Sequence, residues 1–290
     1  MKFHCDCFQC IAKHALESAR LVTKDERVHM RVMREVMRNS ADIDPRMSPP
    51  AMVQLAHRAI RRSVGDPDPY REAKRRHTRM ALSLLPTLER RVRRAKDPFE
   101  MAVRFAIAGN CIDMGTRLEI GPKHVLDTLE RAAKAPLEGD ARKLAAAARG
   151  AGSILYLADN AGEIVFDRLV LARLPKGKTT VAVRGGPVIN DATMEDARAS
   201  GLMDVVPVID NGSDAPGTIL RDCSSGFKKR FREAGLVIAK GQGNYETLSD
   251  AGRRIVFLLI AKCGIICDSL GMRQGDMVIR DHRPRRRTRR

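Results

Sequence analysis

The chain has 290 residues, 43% of them hydrophobic, which is enough core for one large domain or two modest ones. No apolar run is as long as a bilayer span, the longest lying near Ile255 to Ile260, and Met1-Lys2-Phe3-His4-Cys5 lacks the apolar centre of a signal peptide. A cytoplasmic protein with no membrane partner is therefore the expectation. Aromatic residues make up only 4% and Trp is absent, so the core must be Ala, Val, Ile, Leu and Met; seven Cys in a chain this long do not make a disulfide scaffold. The formal net charge is +18, yet seven Arg fall between Arg280 and Arg290, where a solvated, disordered tail is expected.

Residues 1 to 100 read as a helical module. Ile11 to Met37 has apolar residues at helical spacing, and Ser40 to Pro50 breaks the pattern. Ala51 to Val64 is a second helix, and Tyr70 to Lys96 a third, with Pro86 as a point of interruption. Asp97-Pro98 opens a helix over Phe99 to Ala108 that ends in Gly109-Asn110-Cys111; Val125 to Leu129 and Ala141 to Ala148 are further helix.

From Ser153 the rhythm changes. Six apolar runs have strand character: Ile154 to Ala158, Thr179 to Val183, Val205 to Ile209, Leu236 to Ala239, Ile255 to Ala261 and Met277 to Ile279. Helical segments alternate with them at Glu163 to Arg173, Ala192 to Ser200, Ser224 to Ala234 and Tyr245 to Ala251. This alternation predicts an α/β domain over 101–279 with a mostly parallel sheet covered on both faces, followed by the basic tail 280–290.

Four strand ends carry polar clusters: Asp159-Asn160 with Glu163, Arg184-Gly185-Gly186 leading to Asn190-Asp191, Asp210-Asn211-Gly212, and Lys240-Gly241-Gln242-Gly243-Asn244. A parallel sheet brings its strand ends to one edge, where open α/β sheets bind ligands. Asp159, Asn160 and Asp191 are hard oxygen donors suited to Mg²⁺ or Mn²⁺. Lys240 and the glycine turn Gly241 to Gly243 can hold phosphate oxygens by charge and backbone N–H groups, with Arg184 and Asn244 as neighbouring phosphate contacts. Glu163, one helical turn past Asn160, can hold the attacking water. A metal, a cation and N–H donors around one oxyanion describe phosphoryl chemistry. Asp159 and Asn190-Asp191 can each also be read as helix caps, and Asp210-Asn211-Gly212 as a turn. Cys5, Cys7 and Cys10, with the C-x-x-C pair Cys7 and Cys10, form a possible second metal or redox group, although a closed zinc site needs four ligands.

Cys7-x-x-Cys10, Gly109-Asn110-x-x-Asp113, Asp159-Asn160-Ala161-Gly162-Glu163, Asn190-Asp191-Ala192-Thr193 and Lys240-Gly241-Gln242-Gly243-Asn244 together resemble the DUF89 family, the damage-control or ARMT1-like phosphatases, in its microbial branch. The resemblance implies a helical N-terminal module joined to a three-layer α/β/α domain with a mixed sheet whose last strand is antiparallel. It also implies metal ligands at Asp159, Asn160 and Asp191, a phosphate-binding lysine at Lys240 and a site residue at Asn110. The implied activity is hydrolysis of sugar phosphates or damaged phosphometabolites with Mn²⁺, Mg²⁺, Co²⁺ or Ni²⁺. Two alternatives are a nucleoside-methionine-dependent (SAM-dependent) carboxyl methyltransferase, discussed for one branch of the family, and a nucleic-acid-binding protein using the Arg-rich tail.

Overall fold

The computed structural model describes residue 1, residues 3–111 and residues 121–283. Asp113 and the tail from residue 284 lie outside the described residues.

Four helices open the chain: α1 (Cys5–Val22), α2 (Glu26–Ala41), α3 (Pro49–Val64) and α4 (Arg71–Arg94). The single helix expected over Ile11 to Met37 is broken at residues 23–25, where the Asp25 carboxylate accepts the Arg27 amide at 2.9 Å and caps α2. Helix α4 runs through Pro86 without interruption; Leu85 and Leu88, both buried in the main core, hold the helix on either side of the missing N–H. Ile11, Ala15, Val32, Val36, Met52 and Ile60 give α1, α2 and α3 a small core of their own. The second half of α4 packs instead with the α/β body, so the division between the two cores falls inside α4 rather than at residue 100.

The body continues with α5 (Pro98–Ala108), the 3₁₀ turn Gly109–Cys111, α6 (Pro122–Ala132), β1 (Leu137–Glu138), α7 (Ala141–Gly150), β2 (Ile154–Leu157), α8 (Glu163–Leu171), β3 (Thr179–Val183), α9 (Met194–Ala199) and β4 (Val208–Asp210). It ends with α10 (Ser225–Glu233), β5 (Leu236–Lys240), α11 (Gly241–Leu248), β6 (Ile255–Ile260), α12 (Gly264–Leu270) and β7 (Met277–His282). The sheet has seven strands in the order β1-β7-β6-β5-β2-β3-β4. All six expected strands are present, and β1 is additional; two residues are too few to show a hydrophobic pattern. Strands β2 to β6 are mutually parallel, and β7 runs antiparallel to β6, extending through Arg280, Asp281 and His282 into the stretch expected as tail.

Side chains alternate across the pleat and build a core on each face. Tyr156, Val181, Ile238 and Leu258 pack with α5 and α8, whereas Leu155, Leu157, Val237 and Phe257 pack with α10, α11 and α12. This is the three-layer α/β/α arrangement. Among the described residues no helix is long and apolar enough to cross a membrane.

The chain winds outward from β2 to β3 and β4, then returns to the other side of β2 as β5. The crevice between the carboxyl ends of β2 and β5 is thus the switch point of the sheet, the usual ligand position in such folds.

Candidate active site at the sheet switch point

Asp159 and Asn160 leave the end of β2, Arg184 leaves β3 and Lys240 ends β5. The segment 190–193 folds back over these ends. Ala161 N–H donates to Asn190 O at 2.8 Å, Ala192 N–H to Asp159 O at 2.7 Å and Arg184 N–H to Ala192 O at 2.8 Å, while Asn160 and Asp191 pair as an isolated antiparallel bridge. Backbone bonds alone therefore place Asp159, Asn160, Arg184 and Asp191 in one spot. Neither acid is a cap: α8 starts after Gly162, and α9 is capped by Thr193 in a capping box with Asp196.

The side chains form a connected network. Asn110 Nδ2 donates to Asp159 Oδ2 at 2.9 Å and to Glu163 Oε2 at 2.8 Å. Asn160 Nδ2 donates to Glu163 Oε2 at 2.8 Å and to Asp159 Oδ2 at 3.3 Å, which turns its amide oxygen away from both acids. Arg184 Nε donates to Asp191 Oδ2 at 2.6 Å, and its Nη2 lies 3.5 Å from Asp159 Oδ1. Nη2 is buried and makes no hydrogen bond.

Two expected roles change. Lys240 is 0% exposed, and its ammonium donates to Ala106 O at 2.8 Å, Glu163 Oε1 at 2.5 Å and Asp167 Oδ1 at 2.7 Å. An ammonium has three donors, and all three are engaged, so none faces a phosphate. Glu163 is equally buried, with Lys240 on one oxygen and the two asparagine amides on the other; it touches no solvent from which to hold water. Asp167, one turn beyond Glu163, was not singled out by the sequence. A charge at i+4 on a helix otherwise apolar around it was the available signal.

The glycines after Lys240 serve close packing, and they begin helix α11 rather than a free turn. Gly241 has φ +76°, and a Cβ there would overlap the Asp159 carboxylate; Gly243 lies against the Gly217 backbone. Asn244 is fully buried: its amide donates to Ala158 O at 3.1 Å and Lys240 O at 2.7 Å and accepts from Thr218 Oγ1 at 2.7 Å, so it ties strand ends together. Asn211 likewise braces a turn, accepting the amides of Gly185 and Ser213.

Electrostatically the crevice is overfilled with acid. Asp159, Glu163, Asp167 and Asp191 are buried against two buried cations, Arg184 and Lys240. Burial pushes the Asp159 carboxyl well above its ordinary value, Glu163 and Asp191 push it further, and Arg184 and Lys262 oppose them. Burial raises Asp167 to about 6, against the pull of Lys240. Burial works to lower Lys240, but Asp167 and Glu163 more than reverse it and hold the ammonium charged. A surplus of buried carboxylate beside an amide oxygen is the donor set a divalent cation fits.

The cysteines do not make the metal group considered above. Cys5 and Cys10 are exposed and Cys7 is buried, and among the described residues no three His, Cys, Asp or Glu converge tightly enough to hold a metal. The side chain of Cys111 lies outside the described residues.

A doubly wound sheet with an acid–amide–arginine cluster at its switch point defines the class of α/β protein. The damage-control phosphatase ARMT1-like domain model matches residues 3–278, and the chain belongs to this DUF89 family. It is 35% identical over 287 residues to a damage-control phosphatase of Archaeoglobus fulgidus, covering 96% of this chain and 98% of the relative. A damage-control phosphatase of Pyrococcus horikoshii is 32% identical over 284 residues, covering 96% and 97%, and an uncharacterized protein of Methanocaldococcus jannaschii is 35% identical over 294 residues, covering 96% and 95%. The crystal structure of a DUF89 family protein from P. horikoshii superposes with a TM-score of 0.89 at 30% identity, covering 98% of this chain and all of the other.

Proposed function

We propose that the chain is a divalent-metal-dependent phosphatase acting on phosphate monoesters of small metabolites, in the manner the names of its archaeal relatives suggest. The observation that carries this reading is the acid-rich cluster at the switch point, where among the described residues four buried carboxylates gather around two buried cations. Asp159, Asn160 and Asp191 would hold the ion, which when bound would polarise a phosphate oxygen and offset charge developing on it. Mn²⁺, Mg²⁺, Co²⁺ and Ni²⁺ all suit such donors.

The protein's own groups supply the rest. Arg184, fixed through Nε by Asp191, keeps a buried Nη2 with no hydrogen-bond partner for a phosphate oxygen. The first-turn amides of α11 add donors at a helix N-terminus. Glu163 is a positioning residue: held by Lys240, it orients the amides of Asn110 and Asn160 so that the Asn160 oxygen is presented away from the acids.

The test is release of phosphate from p-nitrophenyl phosphate and a sugar-phosphate panel, with Mn²⁺, Co²⁺ or Ni²⁺ added or chelated away. Asp159→Ala and Asp191→Ala should each lower kcat/KM by about 10³-fold, the scale of removing a group that stabilises the transition state. Full activity in either variant, or no dependence on metal, overturns the assignment.

A further inference from the structure

A cavity of about 620 Å³, within the size range of small-molecule sites, is lined in part by Ile189, Gln242 and Gly243, chain neighbours of the acid cluster. Its apolar walls come from Ile11 on α1, Pro50 and Val53 on α3, and Ile189, Pro216 and Ile265 from the α/β body. Its polar lining is Asp6, His14, Gln242, Glu246 and Asp268, with the thiols of Cys7, Cys10 and Cys263. No Lys or Arg lines it among the described residues, although the chain holds 53 of them.

Two stretches carry the chain from the acid cluster into this cavity. Ile189 stands immediately before Asn190-Asp191, and Gln242-Gly243 immediately follow Lys240-Gly241. Gln242 Oε1 also accepts the amide of Lys262, a residue whose charge reaches Asp159. Ile189 has φ +44°, a left-handed conformation that a β-branched side chain adopts only under strain, and among the described residues no other non-glycine has positive φ. Such strain persists where the surroundings enforce it, commonly at ligand sites.

We propose that this cavity receives the organic half of the phosphate ester and selects an apolar body, neutral or bearing an amine, over sugar phosphates and polyanions; the inference rests on the phosphatase reading above. A wall of aliphatic side chains and proline gives a polyol no partners for its hydroxyls, and stripping them of water without replacement is unfavourable. The carboxyls repel a second phosphate and attract an ammonium. Burial holds the Glu246 carboxyl up to about 7, and a cation seated beside it would restore its charge.

The experiment compares kcat/KM with Mn²⁺ for phenyl phosphate, 4-(aminomethyl)phenyl phosphate, ribose 5-phosphate and fructose 1,6-bisphosphate. The aryl esters should lead, the amine-bearing one first and the bisphosphate last. Val53→Trp, which fills the cavity, should lower the aryl-to-ribose ratio by about tenfold or more. Ile189→Gly, which relieves the backbone and removes one wall, should lower the ratio without loss of fold. Calorimetric titration of benzylamine into metal-free protein, wild type and Val53→Trp, reads the cavity apart from turnover. If esters are hydrolysed but the ratio is the same in all three proteins, the cavity inference fails and the phosphatase reading stands. If no ester is hydrolysed but benzylamine binds the wild type and not Val53→Trp, the cavity stands and the phosphatase reading fails.

Discussion

Among the described residues two lysines are fully buried, each between a pair of carboxylates, and they do different work. Lys74 on α4 pairs with Asp68 at 2.8 Å and Asp196 at 2.9 Å. Asp196 also accepts the Thr193 amide and hydroxyl that cap α9, and Asp68 accepts the Tyr70 amide. Each charge finds partners inside its own cluster, and the cluster latches the helical module to the α/β body. Lys240 pairs with Glu163 and Asp167, and its neighbourhood adds Asp159 and Asp191, which face Arg184, with the charge of Lys262 also reaching Asp159. There Arg184 Nη2 is buried without a hydrogen bond. A buried lysine between acids is thus no sign of a site by itself. Its place at the sheet switch point, where Asp159, Asp191 and a buried Arg184 Nη2 without a hydrogen bond join it, is.

The largest effect that sharpens this contrast is Lys240→Met. It leaves Glu163 and Asp167 unpaired in the core, and a broken buried pair costs about 3–5 kcal/mol. Activity should vanish as well, because Glu163 no longer holds the two asparagine amides. Lys74→Met should cost a similar 3–5 kcal/mol in denaturant unfolding, again by leaving two acids unpaired, yet leave kcat/KM of the folded protein unchanged. Equal losses of activity in the two variants would break the distinction.

A smaller effect separates the clusters from the other side. If the surplus acid is a cation site, Mn²⁺ at about 100 times its dissociation constant should raise the unfolding free energy by about 2.7 kcal/mol. The gain should survive Lys74→Met and be absent in Asp159→Ala. A gain retained in Asp159→Ala would place the ion elsewhere.

The sequence made the strand ends readable because each apolar run of the parallel sheet stops abruptly in polar residues. Asp159, Asn160 and Asp191 could be grouped on that basis, since parallel strands must end on one edge. What Lys240 does could not be read. Its partners are 73 and 77 residues away on α8, and whether a lysine at a strand end turns into the crevice or back into the core depends on helix packing. Gly241 to Gly243 looked like a phosphate loop because glycine is as useful for approaching a carboxylate as for approaching a phosphate. The helix break before Asp25 and the start of α11 at Gly241 were missed for one reason: a short cap leaves little mark on hydrophobic periodicity. The cavity was invisible because its walls join α1 and α3 to a loop and a helix some 130 to 250 positions further on.

The smallest effect concerns Glu246, whose carboxylate has no ion pair among the described residues. Glu246 lines the cavity and receives a 2.8 Å hydrogen bond from Gln242; the nearby Met1 ammonium pairs with Asp250 instead, at 3.0 Å. Burial lifts the Glu246 carboxyl from its ordinary 4.5 to about 7, with Gln242 and the Met1 ammonium pulling the other way. A raised carboxyl pKa means that the folded protein binds the proton more tightly than the unfolded chain between those two values. Stability should therefore fall as pH rises through that window and level off above it, by about 3 kcal/mol in all. The thiols of Cys7, Cys10 and Cys263 around it are pushed upward by burial and titrate above the window. Asp159 and Asp167 add slopes of the same sign, so the informative quantity is the difference between wild type and Glu246→Gln, measured by urea unfolding from pH 5 to pH 8. The variant should lose Glu246's share of the slope and gain its relative stability at the alkaline end, where the wild type carries an unpaired charge. A difference that stays flat across the range would mean that solvent or the Met1 ammonium already neutralises the carboxylate, and the cavity would then lack the unanswered charge that favours an amine.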